Sequence, residues 1–370
     1  MKITFFDSVS DQYGSSRMCR LIMQIMHEAG NDVEAYVSLE RLPITQRYAK
    51  TSTFPTLVMT HLRKDPIGYF RDFASRFRSL KATLPTLLAN TNIVYCNTLA
   101  TLPVAWCSKK LKIPTVLHLH ETANSPIMRL IGRFLLPRVA DQIICVSGAV
   151  AKSWKLDRHP SSIVVHNGIP EEPELEKFKT DASRPYDLCF VGRLTEKKGI
   201  GFLLSALKML NLTQPPRFDN PFKVVIAGGT LPGQPIPPEL EHMASGANVQ
   251  ITYLGEIDDT REVFLQSKVA CVPSLFHDPF PTVVLEAMRA GCAVVASELG
   301  GAREALANAH GELIKPGDVH SLVDAIVRQR SKWTPDIVTH NQNVFNNQFT
   351  LQKFRERLLS LNLLHLKSST

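Results

Sequence analysis

No stretch of the 370-residue chain approaches the roughly 20 consecutive apolar residues that a membrane-spanning helix needs, so none is expected. Cysteine is sparse: seven residues (Cys19, Cys96, Cys107, Cys145, Cys189, Cys271, Cys292), an odd number, with no C-x-x-C pair. That spacing argues against a disulfide framework or a zinc site; thiols scattered through apolar, strand-like segments suit burial in a reducing compartment. Also missing are Asp-x-Asp, the G-x-G-x-x-G dinucleotide fingerprint and the G-x-x-x-x-G-K-[ST] phosphate loop. Gly229-Thr-Leu-Pro-Gly233 looks like a phosphate loop but lacks the lysine. No metal site and no bound cofactor are expected. The chain opens on Met1-Lys-Ile-Thr-Phe-Phe-Asp7, a strand without a signal-peptide apolar region, so the expected location is cytoplasmic.

Acidic residues are scarce in the first half only. Residues 1–170 hold 21 Lys+Arg against 11 Asp+Glu, whereas the remainder holds 21 against 23. The net charge of +8 therefore belongs to the N-terminal half, which points to an anionic partner or surface there. Length predicts two domains, and 44% hydrophobic with 21% charged residues is ordinary for a globular protein.

Strand and helix signals alternate. Ile3–Phe6, Val33–Val37, Ile93–Cys96, Thr115–Leu119, Gln142–Val146 and Ile163–Val165 read as strands. Ser15–Ala29, Leu102–Leu111 and Arg129–Ala140 between them read as helices. Pro170–Pro185, with its Glu-Glu-Pro-Glu run, reads as a linker. A second series follows: strands at Asp187–Val191, Lys223–Ala227, Val249–Tyr253, Val269–Val272 and Ala293–Ala296, helices at Gly199–Leu210 and Leu322–Arg328, and an amphipathic helix at Phe349–Leu364. Apolar strands separated by helices imply parallel sheets covered on both faces. The expected fold is α/β.

Residues 272–301 carry the most chemistry. Asp278 and Glu286 stand eight residues apart across a Pro-Phe-Pro turn and a helix start, followed by an apolar run and Gly300-Gly301. Helical periodicity lets a group in the entry loop and one a turn inside face the same space, beside unpaired N–H groups at the helix N-terminus. One carboxylate can take ribose hydroxyls and the other those of a second sugar. In Phe190-Val-Gly-Arg-Leu-Thr-Glu-Lys-Lys-Gly199, Arg193 and Lys198 flank a helix start and suit a diphosphate. Tyr13-Gly-Ser-Ser-Arg17 opens the first helix, and His118-Leu-His120-Glu121 closes a strand with both histidines on one face.

These segments resemble the retaining GT-B glycosyltransferases of family GT4, whose signature reads roughly Ser-x-x-Glu-Pro-Phe-Gly-x-x-x-x-Glu-Ala-Met. Asp278 stands where the first Glu is usual and Pro281 where Gly is usual. The resemblance implies two Rossmann-like domains facing a cleft, at 1–172 and 173–345, with residues 346–370 forming a helix that packs back on the first. It also implies metal-independent transfer from a nucleotide-diphosphate sugar to an acceptor hydroxyl, and the basic first half suggests an oligosaccharide or lipid-linked acceptor, as in bacterial surface-polysaccharide assembly. Glu286 would hold the ribose, Asp278 the sugar hydroxyls, Arg193 and Lys198 the diphosphate, and His120 the donor from the other side. Gly14, Ser15, Gly192, Gly228, Phe280, Pro281 and Thr282 would line the nucleotide sugar. Gly300, Gly301 and Glu304 resemble the family's Gly-Gly-x-x-Glu. A binding subunit without turnover and a sugar-nucleotide epimerase or soluble-acceptor transferase are the rival expectations.

Residues 61–81 hold six Lys/Arg against two Asp, with aromatics at helical spacing. This basic helix, with Arg129, Arg133 and Arg138 added, suits an anionic membrane surface or a solvated face. Nucleic acid is not an expected partner.

Overall fold

The computed structural model describes residues 1–7, 14–37, 50–53, 66–172, 184–213, 218–231, 233–238, 240, 248–361 and 363, with side chains from Phe77 onward in the helix Pro66–Leu87. Two compact units emerge: Met1–His166 with the residues from Arg355 onward, and Asn167–Phe354. Tyr13, the bulk of the expected linker and the aromatic positions before Phe77 lie outside the described residues.

The first unit is built on seven parallel strands: β1 (Lys2–Asp7), β2 (Asp32–Val37), β3 (Lys50–Thr53), β4 (Ile93–Asn97), β5 (Thr115–Leu119), β6 (Gln142–Cys145) and β7 (Ser162–Val164). Their order is β3-β2-β1-β4-β5-β6-β7. The second unit has six: β8 (Tyr186–Val191), β9 (Phe222–Ala227), β10 (Val249–Tyr253), β11 (Ser267–Val272), β12 (Ala293–Ser297) and β13 (Gly311–Ile314), ordered β10-β9-β8-β11-β12-β13. Every registered pair is parallel. The apolar runs explain this: all five residues of β4, β5 and β12 are buried, which requires cover on both faces. In each sheet the chain order reverses beside its first strand, between β1 and β4 and between β8 and β11. Such switch points leave a crevice at the strands' C-terminal ends, where open α/β sheets bind ligands.

Arg184 anchors the opposite end of the second sheet. It is 5% exposed and donates to the carbonyls of Ser267 (2.6 Å) and Ala290 (2.6 Å). Ala290 caps the C-terminus of the helix Thr282–Arg289, so the guanidinium sits at the negative end of that dipole. The helix N-terminus consequently lies at the strands' C-terminal end.

Several expectations are refined. The helix expected at Arg129–Ala140 is two, Pro126–Phe134 and Leu136–Val139, because Pro137 has no N–H to offer the carbonyl of Arg133. The C-terminal helix is Leu351–Ser360, preceded by an unexpected helix, Pro335–Gln348. From Arg355 the chain rejoins the first unit, where Arg355 pairs with Glu28 of the helix Gly14–Glu28. β3 and β13 were not apparent in the sequence. All seven cysteines are free and buried. Among the described residues no helix is long and apolar enough to cross a membrane.

Candidate functional site

The second unit assembles its candidate residues around the β8–β11 switch point. After β8 the chain turns through Gly192 and Arg193, and Thr195 caps a short 3-10 turn, Glu196–Lys198, by accepting from the Lys198 N–H. Gly199 then takes φ 80°, and a Cβ there would lie 1.9 Å from the carbonyl oxygen of Pro273. Only glycine allows this approach of the β8 loop to the β11 loop. The Leu275 N–H donates to the Lys197 carbonyl (2.8 Å), joining the two loops again.

The consequence is that Lys198 meets Asp278. Its ammonium lies 2.9 Å from Asp278 Oδ2 and 5.0 Å from the centre of the Phe276 ring. Asp278 itself is held by its backbone: its carbonyl accepts from the Gly301 N–H (2.9 Å). Gly300 passes so close that a Cβ would sit 1.8 Å from that carbonyl oxygen. The Gly300-Gly301 turn thus clamps the Asp278 loop. Pro281 then starts the helix Thr282–Arg289 with φ −73°. Thr282 and Glu286, one turn apart, share a face, while Val284, Leu285, Ala287 and Met288 bury the opposite side. Arg193, Lys198, Asp278, Thr282 and Glu286 remain partly exposed.

Three of the expected residues also have structural partners. Phe280 is 4% exposed with its ring against Phe349, centroids 5.8 Å apart, so its side chain packs into the core. Gly192 donates its N–H to the Ala227 carbonyl (3.0 Å) and Gly228 to that of Gly255 (2.7 Å). These glycines shape the crevice, and neither keeps an N–H for a ligand.

In the first unit, a second cluster sits where β1, β4 and β5 end. Asn97 donates to Asp7 Oδ1 (3.1 Å) and to the Ser15 carbonyl (3.4 Å), bringing the Gly14–Ser15 helix start alongside. Thr98 adopts φ 68°, an outlier for a β-branched residue, and is 1% exposed. The Thr98 N–H bonds the His118 carbonyl (2.9 Å), and Thr101 Oγ1 donates to the Thr98 carbonyl (2.8 Å). Glu121 accepts from the N–H groups of Leu99 (3.1 Å) and His120 (3.1 Å). Strain of this kind costs about 1–3 kcal/mol and clusters at working sites.

His118 and His120 lie with ring centroids 4.1 Å apart, and Tyr95 Oη bonds His118 Nδ1 (2.9 Å). Desolvation pushes His120 down to about 3 and His118 well below its ordinary value, so both rings are neutral at pH 7. Desolvation raises Glu121 to about 7 despite its backbone donors. Ser16 Oγ, Asn97 Oδ1, Thr98 Oγ1, His118 Nε2 and His120 Nε2 are buried with no hydrogen-bond partner among the described residues. Sequence reasoning named His120, Gly14 and Ser15, and Glu121 only as the end of the His118–Glu121 motif, but missed Asp7, Asn97 and Thr98 as parts of this cluster. Asp7 and Asn97 end the two strands that flank the switch point, which is the signal that could have found them.

Two doubly wound parallel-sheet units, with paired charges at one strand-end crevice, define the GT-B class of fold. Residues 14–172 match Glycosyltransferase Family 4 and residues 185–331 match Glycosyl transferases group 1. The chain belongs to this glycosyltransferase family, GT4 group 1.

A phosphatidyl-myo-inositol mannosyltransferase of Mycobacterium leprae is 26% identical over 234 residues, 60% of this chain and 59% of that protein. An N-acetyl-D-galactosaminyltransferase of Campylobacter jejuni that acts on an undecaprenol-linked glycan is 25% identical, covering 66% of this chain and 67% of that protein. The chain spans under two-thirds of the length of the mycobacterial mannosyltransferases it matches. Anabaena HepE, solved with UDP, has the same fold with TM-score 0.74 at 20% identity, covering 98% of this chain and 99% of that one. A glycosyltransferase of Rickettsia africae gives TM-score 0.76 at 16% identity, with 98% of each chain covered.

Proposed function

We propose that this protein transfers a sugar from a nucleotide-diphosphate sugar to an acceptor hydroxyl, with retention of anomeric configuration and without a metal. The observation that carries this reading is the Lys198–Asp278 ion pair at the β8–β11 crevice, with Arg193 just past the end of β8 and Glu286 one turn inside the helix that follows β11. Arg193 and Lys198 neutralise the diphosphate, and more strongly as it leaves, with the N-terminus of the helix Thr282–Arg289 adding its positive dipole end. Glu286 takes ribose hydroxyls, Thr282 lies a turn closer to the phosphates, and Asp278 faces the transferred sugar. Pro281 supplies no N–H, so recognition there falls on side chains. In the first unit, neutral His120 and the unpartnered polar atoms around Asn97 and Thr98 suit sugar hydroxyls, with the Gly14–Ser15 helix start beside them. No protein nucleophile is assigned.

The acceptor in this reading is a lipid-linked glycan at an anionic membrane surface, and the support is the basic first half of the chain. The M. leprae relative is a phosphatidyl-myo-inositol mannosyltransferase and the C. jejuni relative acts on an undecaprenol-linked glycan.

The test is a thermal-shift and hydrolysis screen with UDP-, GDP-, dTDP- and ADP-sugars, with and without EDTA. One donor should raise the melting temperature and slowly release its nucleoside diphosphate, with EDTA having no effect. Stabilisation without turnover, even with lipid-linked acceptors present, would favour a binding subunit. No response to any donor would sink the proposal.

A further inference from the structure

The nine-residue helix Pro126–Phe134 exposes its apolar side. Ile127 is 72% exposed, Leu130 60% and Phe134 48%, although each is a large hydrophobic residue. Their spacing of three and four residues puts them in one stripe. The helix is otherwise well made: Ser125 accepts from the Met128 N–H at the N-cap, and Pro126 occupies the first turn. Its inner contact is Gly132, where a Cβ would fall 2.2 Å from the carbonyl oxygen of the fully buried Trp154. The helix is thus seated flat on the first unit through Gly132, and the apolar stripe is left without cover among the described residues.

Charge says what covers it. From Thr122 to Ala140 there is no acidic residue, while Arg129, Arg133 and Arg138 are all exposed. Arg129 and Arg133 follow the stripe along the helix, and the Arg133 guanidinium lies 5.3 Å from the centre of the Phe134 ring. An apolar stripe with a cationic flank fits the boundary between anionic headgroups and acyl chains, where the apolar residues enter and arginine heads stay with phosphates.

We propose that the helix Pro126–Phe134 docks the first unit on an anionic lipid surface, Ile127, Leu130 and Phe134 inserting and Arg129, Arg133 and Arg138 holding headgroup phosphates. This locates the membrane contact on this helix, whereas the sequence alone placed it chiefly on residues 61–81. It deepens the lipid-linked acceptor reading and rests on it only for what the docked protein then modifies.

The experiment is flotation of the full chain with vesicles of phosphatidylglycerol and phosphatidylcholine, or of phosphatidylcholine alone, at 50 and 500 mM salt. The wild type should float with the anionic vesicles at low salt, and about tenfold less at high salt or on the neutral ones. A Leu130→Ser/Phe134→Ser variant should lose about tenfold or more in partitioning. Arg129→Ser/Arg133→Ser should lose about tenfold and flatten the salt dependence. Both change exposed side chains, so unchanged melting temperatures and donor-induced thermal shifts check that folding and donor binding survive. Equal flotation of wild type and both variants would overturn the proposal. So would absence of wild-type flotation, or self-association in solution that the serine variants abolish, which would assign the stripe to a second copy. Donor binding without flotation sinks only this proposal; flotation without donor binding sinks only the transferase reading.

Discussion

Lys198 and Asp278, separated by 80 residues in sequence, form a 2.9 Å ion pair at the β8–β11 crevice. The pair matters because each partner is assigned to a different part of the donor, the ammonium to the diphosphate and the carboxylate to the sugar. A carboxylate one methylene shorter than glutamate is kept beside the lysine by the clamp on its backbone.

Lys198→Ala should therefore weaken nucleoside diphosphate binding by about tenfold to a hundredfold, the worth of a charge-assisted hydrogen bond. Asp278→Ala should leave binding of the diphosphate without its sugar undiminished but abolish transfer. Calorimetry with UDP and GDP, beside a transfer assay, separates the two. Equal loss of bare-diphosphate affinity in both variants would contradict the division of labour. The pair is partly exposed, so either change should cost only about 0–1 kcal/mol of stability.

Gly300→Ala tests the clamp. A Cβ at 1.8 Å from the Asp278 carbonyl oxygen, at φ 59°, cannot be housed without moving the loop. Loss of about 1–3 kcal/mol in chemical denaturation is expected, with a larger fall in turnover than in diphosphate affinity. Wild-type turnover in this variant would show that the clamp is dispensable.

Pro281→Gly restores the residue usual in the family. It should lower stability by about 0.4–1 kcal/mol through the freer unfolded chain and leave nucleotide-sugar affinity no weaker. A marked loss of affinity in titration calorimetry would assign the proline ring a direct contact.

His118 and His120 set an acid limit. Desolvation depresses His120 to about 3, so above its ordinary value near 6.5 the neutral ring costs nothing. Below that, the unfolded chain takes a proton the fold refuses, and stability falls as pH drops from 6.5 toward 3. His120→Gln should flatten the melting-temperature profile over this window. Glu121 acts in the opposite sense: raised to about 7 from 4.5, it makes the folded state bind a proton more readily between those values. Glu121→Gln should remove that gain, so that the variant loses stability relative to wild type as pH falls from 7 to 4.5. Parallel profiles for wild type and both variants would refute these assignments.

Most of the architecture was legible because fully buried parallel strands leave apolar runs that alternate with helical periods. Thr115–Leu119 and Val249–Tyr253 matched to the residue. β3, with the sequence Lys-Thr-Ser-Thr, and β13, with Gly-Glu-Leu-Ile, are short edge strands without such a run, so their place in the sheet comes from pairing with β2 and β12. The site divides the same way. Asp278, Glu286, Arg193 and Lys198 could be singled out because their chemistry and local spacing are visible along the chain. That Lys198 reaches Asp278, that Phe280 turns inward to Phe349, and that Asp7, Asn97 and Glu121 share one cluster depend on which strand ends become neighbours.

The same holds for the helix Pro126–Phe134: spacing puts Ile127, Leu130 and Phe134 in one stripe, and only Gly132 against Trp154 shows that the stripe faces outward. Periodicity tells which residues share a face, and the sequence by itself determined most of the elements and the residue types of the second unit's site. Only the tertiary structure decided which face is covered and which distant groups meet, because burial and ion pairing are set by partners remote in sequence.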